Sequence, residues 1–173
     1  MKKSILALLL AVMMVASLLP TAALADDEAV AITSDLTSLE TGAYYVPDGG
    51  VTMAGTVSID GKNIVLDLKG QTLVGATNMT LFKLENGATL TIKDSVGGGK
   101  VSTTGTAVYL YNGCTVDVAG GTVERSGNGN TITGTNRNGD AFVVKISGGT
   151  VSLVGATVNY PAISIGSASG TTG

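Results

Sequence analysis

The sequence predicts an all-β solenoid, a parallel β-helix with about 26 residues per coil. Two observations carry this. Three segments share one pattern: Ile59-Asp60-Gly61-Lys62-Asn63-Ile64-Val65-Leu66, Glu85-Asn86-Gly87-Ala88-Thr89-Leu90-Thr91-Ile92 and Tyr111-Asn112-Gly113-Cys114-Thr115-Val116-Asp117-Val118. Their glycines, Gly61, Gly87 and Gly113, stand 26 residues apart, a period that marks repeats burying their apolar faces on one another. Each copy is also a turn followed by apolar/polar alternation, the period of a strand, with no helical stretch between copies. A fourth copy, Ser147-Gly148-Gly149-Thr150-Val151-Ser152-Leu153, follows after 35 residues.

Residues 1–25 read as a secretory signal peptide. Lys2 and Lys3 form a basic start, Ile5 to Leu19 is an apolar run, and Ala23-Leu24-Ala25 is a small-x-small cleavage site. Pro20 interrupts the run, which argues against a membrane anchor needing about 20 apolar residues. Residues 26–41 are expected as a cap or linker, with a short segment from Asp35 to Glu40. Residues 42–173 form the β-helix domain, opening on a strand at Ala43 to Val46.

Alternation assigns the inward residues of the four copies: Ile64 and Leu66, Leu90 and Ile92, Val116 and Val118, Val151 and Leu153. A second strand precedes each turn, at Leu81 to Leu84, Ala107 to Leu110 and Ala141 to Val144. A short third strand lies at Thr72-Leu73, Lys100-Val101, Thr122-Val123 and Thr157-Val158. The polar residues Asp60, Asn86, Asn112 and Ser147 precede the corner glycines and are placed to hydrogen-bond along the axis as a ladder. In a second register for the last coil, Ile146-Ser147-Gly148-Gly149-Thr150-Val151 aligns with Val118-Ala119-Gly120-Gly121-Thr122-Val123. Residues 124–140 carry the extra length of the 35-residue step and read as a polar loop. The coil restarts at Ala162 to Ile165 and no C-terminal cap is visible, so the domain is expected to be truncated, with further chain beyond Gly173.

Composition narrows function. Without Lys2 and Lys3, eight basic residues face thirteen acidic ones, a net charge of −5. Nucleic-acid binding needs clustered Lys and Arg, so that class is disfavoured, as is docking on anionic lipid. The chain has no His, which removes His-based zinc sites and Ser-His-Asp chemistry. The single Cys114 gives no internal disulfide and reads as a small residue tolerated in a turn. The Asn78-Met79-Thr80 sequon is given no role.

Several stretches carry a resemblance: Gly42-Ala43-Tyr44-Tyr45-Val46, Ile64 to Leu73, Gly87 to Ser95 with the triple glycine Gly97-Gly98-Gly99, and Val118 to Val123. Over roughly 42–165 the chain resembles secreted right-handed parallel β-helix proteins of the pectin-lyase-like class. Within it, the chain is most similar to repeat-rich, adhesin-like surface proteins of Gram-positive bacteria. The resemblance implies a right-handed, extracellular or cell-surface protein, often with polysaccharide as ligand. Lyases of this class carry stacked carboxylates for Ca²⁺ and a basic residue. Here the outward columns read Val65, Thr91, Asp117, Ser152 and Asp67, Lys93, Ala119, Val154, with no two acids stacked. Asp67 and Lys93 are expected to form an exposed ion pair. Asp117, Glu124 and Asp140 are the acids with a chance of meeting near 124–140.

The suggestive face is that of the strand before the turn. Lys83 and Glu85 are expected below Tyr109 and Tyr111, with Lys145 above, an amphipathic patch suited to stacking on sugar rings. An outward row of Thr89, Thr115 and Thr150 raises ice binding as a lesser reading. The expectation is a non-enzymatic, secreted or surface-bound adhesion module without cofactor or metal, binding polysaccharide or cell-wall glycan. The alternatives are the N-terminal part of a polysaccharide lyase or hydrolase, and a structural stalk.

Overall fold

The computed structural model describes residues 28–111, 113–136 and 141–167; the leader-like segment lies outside them. No helix occurs among the described residues. After β1 (Val30–Ala31) the chain makes five three-stranded rungs. The first is β2 (Gly42–Tyr45), β3 (Val51–Thr52) and β4 (Val57–Asp60). The second is β5 (Asn63–Asp67), β6 (Thr72–Val74) and β7 (Phe82–Glu85). The third is β8 (Thr89–Lys93), β9 (Lys100–Thr103) and β10 (Val108–Leu110). The fourth is β11 (Thr115–Val118), β12 (Thr122–Ser126) and β13 (Ile132–Asn136). The fifth is β14 (Val143–Ile146), β15 (Thr150–Val154) and β16 (Ile163–Ser167).

Equivalent strands of successive rungs pair in parallel, giving three sheets. The first is β1-β2-β5-β8-β11-β14, the second β3-β6-β9-β12-β15 and the third β4-β7-β10-β13-β16. The chain is a parallel β-helix, as the 26-residue period predicts.

The core follows the alternation. Ile64, Leu66, Leu90, Ile92, Val116 and Val118 are all at most 1% exposed and stack in two inward columns of the first sheet. Burying each such side chain contributes about 1.5–3 kcal/mol. Residues 30–41 are joined to this stack rather than loose. β1 pairs with β2, Ser38 bridges Ser58, and Ile32 and Leu39 are buried in the core.

The corner between the third and first sheets is short. Gly61, Gly87 and Gly113 all adopt positive φ there, which a side chain disfavours. Asn86, also at positive φ, donates from Nδ2 to Asp60 Oδ1, the first step of the expected ladder. Asn112 lies outside the described residues. Ser147 belongs to a different corner, where its hydroxyl donates to Asp117.

The last two rungs correct the first reading. Residues 124–140 are not one polar loop. β12 runs on to Ser126, and Ile132–Asn136 is a strand pairing with β10 on one side and β16 on the other. Inserting that strand moves everything after it. Ala141 and Phe142 lead into β14, which pairs with β11, and β15 pairs with β12 through Thr122–Thr150 and Val123–Val151. The second register of the sequence analysis therefore holds, and Thr157-Val158 is not a strand. The alternation of β13 was hidden because its inward position is Gly134. The Phe142 ring packs over that glycine, so close that a Cβ on Gly134 would lie 2.4 Å from it.

Asp67 also departs from expectation. It is 7% exposed, not a solvated partner of Lys93. Its Oδ1 accepts N–H donors from Lys69 and Ser95 at 3.0 Å each, and Lys93 Nζ stands 3.5 Å from Oδ2. Burial opposes ionisation of Asp67. The donors from Ser95 and Lys69, with Lys93 nearby, outweigh it and hold the carboxyl below its ordinary range.

Candidate functional site

The outer face of the third sheet presents the side chains that its core-facing residues do not use. In β10, Val108 and Leu110 point inward and are fully buried. Tyr109 and Tyr111 take the opposite phase and emerge half-buried on the outside. Register places Ser58, Lys83, Tyr109, Thr133 and Ser164 in one outward column. Asp60 and Glu85 begin the neighbouring column.

The two tyrosine rings lie 4.9 Å apart between centroids, tilted by 40°. Lys83 Nζ sits 5.2 Å from the Tyr111 ring centroid, within cation–π range, and 2.9 Å from Glu85 Oε2. Tyr109 Oη and Thr135 Oγ1 are 2.7 Å apart, so the ring is tethered to the next rung. Beside this pair opens a cleft of about 330 Å³ lined by Thr56, Met79, Thr80, Lys83, Tyr109 and Tyr111. Thr56 Oγ1 donates to the Thr80 carbonyl at 2.6 Å, fixing the cleft's far wall. Its apolar content is the two rings and the half-exposed Met79; its polar content is hydroxyls and the Lys83 ammonium, which Glu85 pairs from outside the lining.

No family model, curated protein or solved structure matches this chain.

Of the five residues singled out from sequence, four gather here: Tyr109, Tyr111, Lys83 and Glu85. Lys145 does not. It lies on β14 in the first sheet, in register with Asp117, and its Nζ is 2.9 Å from Asp117 Oδ2. The shift of the fifth rung moved it away. Thr56, Met79 and Thr80 were missed because they sit at corners, where no period-two signal exists. Thr135 was missed because its strand was read as a loop.

The other candidates disperse. The first sheet's outward column is Val65, Thr91, Asp117 and Lys145, so a basic residue replaces Ser152 there. Asp117 is half-buried. Burial opposes its charge, but the Lys145 ammonium and the Ser147 hydroxyl hold its carboxyl below the ordinary range. Glu124 is on the second sheet and pairs with Lys100, away from Asp117. Asp140 lies outside the described residues. Asp60 and Glu85 do stack in register on the third sheet, a pairing the sequence reading overlooked, but each is engaged, with Asn86 and Lys83 respectively. Among the described residues no three acidic or sulfur ligands converge.

The threonine row also breaks. Thr89 and Thr115 are neighbours on the first sheet, followed by Val143, while Thr150 continues Thr72, Lys100 and Thr122 on the second. A two-residue row is too short for a flat threonine face.

Proposed function

We propose that this protein is a secreted or cell-surface β-helix that binds carbohydrate through the outer face of its third sheet. The observation carrying this is the cleft beside Tyr109 and Tyr111. Two adjoining, outward, half-buried rings give flat apolar surface, and hydroxyls around them give partners for sugar hydroxyls. The scaffold beneath them is rigid, since Val108 and Leu110 are locked in the core. The leader-like residues 1–25 support export, and the acidic balance supports a partner that is not a polyanion. Binding, not turnover, is the role proposed. The acids near the cleft are engaged rather than opposed across a gap suited to glycoside chemistry.

The test is a glycan pull-down with the mature chain and with the Tyr109→Ala/Tyr111→Ala double variant. Each aromatic contact contributes about 0.5–1.5 kcal/mol, so the double variant is expected to bind several-fold to over tenfold more weakly. Its β-type circular dichroism should be unchanged. Equal binding by both proteins would sink the proposal, and loss of binding together with the β spectrum would not support it.

A further inference from the structure

The cleft has a direction. Thr56 comes from the first rung, Met79, Thr80 and Lys83 from the second, and Tyr109 and Tyr111 from the third. It crosses two inter-rung steps and so runs along the helix axis for about 10 Å. Tyr109 sits on the third rung of an outward column that continues through Thr133 and Ser164, both carrying hydroxyls. Rungs repeat at about 4.8 Å, roughly the length of one pyranose unit in an extended chain.

The cleft is also electrically balanced. Among the described residues Lys83 is the one charged residue in its lining, and Glu85 lies 2.9 Å from that ammonium. The mature chain carries a net charge of −5, which repels a polyanion at long range. An acidic polysaccharide would have to displace Glu85 from Lys83 and approach against that field. A neutral one needs only rings to stack on and hydroxyls to meet.

Resting on the carbohydrate reading, we infer that the ligand is an uncharged, extended glycan lying parallel to the helix axis, one sugar unit to a rung, across three rungs. The Tyr109–Tyr111 pair seats one sugar and Thr56, Thr80 and Met79 border those below. A curled chain or a single sugar would use only part of the cleft.

Calorimetric titration of the mature chain tests this with three probes: cello-oligosaccharides of increasing length, malto-oligosaccharides as curled neutral comparators, and oligogalacturonates as acidic ones. Cello-oligosaccharide affinity is expected to rise about tenfold or more from dimer to trimer and then to level off. It should also change less than about twofold between low and high salt, since no net charge is neutralised. Equal affinity for dimer and hexamer would overturn the axial placement. Malto-oligosaccharides binding as tightly as cello-oligosaccharides would overturn the extended shape. Tighter, salt-sensitive binding of oligogalacturonates would overturn neutrality while leaving carbohydrate binding in place. Failure of all three classes would remove the carbohydrate reading and this inference together.

Discussion

Beside Asp67, which holds Lys69 and Ser95, Asp94 joins the corners of two successive rungs. Its Oδ1 accepts the Gly70 N–H of the preceding rung at 2.7 Å, and its Oδ2 accepts the Gly99 N–H of its own rung at 2.6 Å. Gly70, Gly97 and Gly98 are at positive φ, and Gly99 is buried beside Leu68 and Asp94. Asp94→Ala removes both acceptors. Hydrogen bonds to a charged group contribute about 1.5–3 kcal/mol each. This carboxylate is half-buried and water replaces part of what is lost, so the expected cost is about 2–3 kcal/mol for the pair. Urea unfolding followed by far-ultraviolet circular dichroism measures it, with an unchanged slope showing that the same surface unfolds.

The pH dependence adds an independent check. Burial opposes the charge on Asp94, but N–H donors from Gly70, Gly99, Gly97 and Val96 outweigh it and lower its pKa below the ordinary 3.8. A depressed folded pKa means that the unfolded chain takes up protons first as pH falls. The contribution is therefore complete well above pH 3.8 and disappears as pH drops through the lower folded value. Asp67 and Asp117 act in the same direction. The parent protein should lose stability on acidification below about pH 4.5, and Asp94→Ala should lose less. An Asp94→Ala variant within about 0.5 kcal/mol of the parent, or an acid slope identical to the parent's, would refute this account.

Two further outcomes are expected. Gly134→Val pushes the Phe142 ring out of its seat and should cost about 1–3 kcal/mol in urea unfolding. Most of that penalty should vanish in a Phe142→Ala background, and a fully additive double variant would show that the two positions do not share space. Cys114 is completely buried, and burial pushes its thiol above its ordinary pKa despite N–H groups from Gly87, Ala88 and Tyr111. Iodoacetamide should leave the native protein unmodified at pH 8 and label it fully in urea; rapid labelling of the native chain would contradict the packing.

The readable part of the sequence was the middle. In β5, β8 and β11 each inward residue is Ile, Leu or Val and each rung repeats after 26 residues, so pattern and period agree. Away from there the corners change length. Successive steps in the first sheet, from Gly42 through Ile64, Leu90 and Val116 to Val144, are 22, 26, 26 and 28 residues. In the third sheet, from Val57 through Phe82, Val108 and Ile132 to Ile163, they are 25, 26, 24 and 31. Corner length is free because corners face solvent, while register is fixed by the core. β13 was illegible for a local reason, since the volume its Gly134 lacks is filled by Phe142 from beyond the next corner. The tyrosine pair was legible from alternation alone. Its cleft was not, because Thr56 and Met79 reach it from corners of two other rungs.

The fifth rung is covered on only one side among the described residues. Ile146 is 48% exposed where Val118, beneath it in the same column, is fully buried, and Ile165 is 59% exposed where Leu110 is fully buried. In a solenoid each rung is stabilised by its immediate neighbours, so local stability is graded along the axis. In a polypeptide that stops at Gly173, fraying should begin at β14 to β16, whose amides will exchange with solvent well before those of β8 and β10. The cleft occupies the first three rungs, with a complete fourth rung between its tyrosines and that fraying end. Opening of the fifth rung thus leaves the tyrosine pair undisturbed, so the cleft keeps its shape while that rung opens and closes.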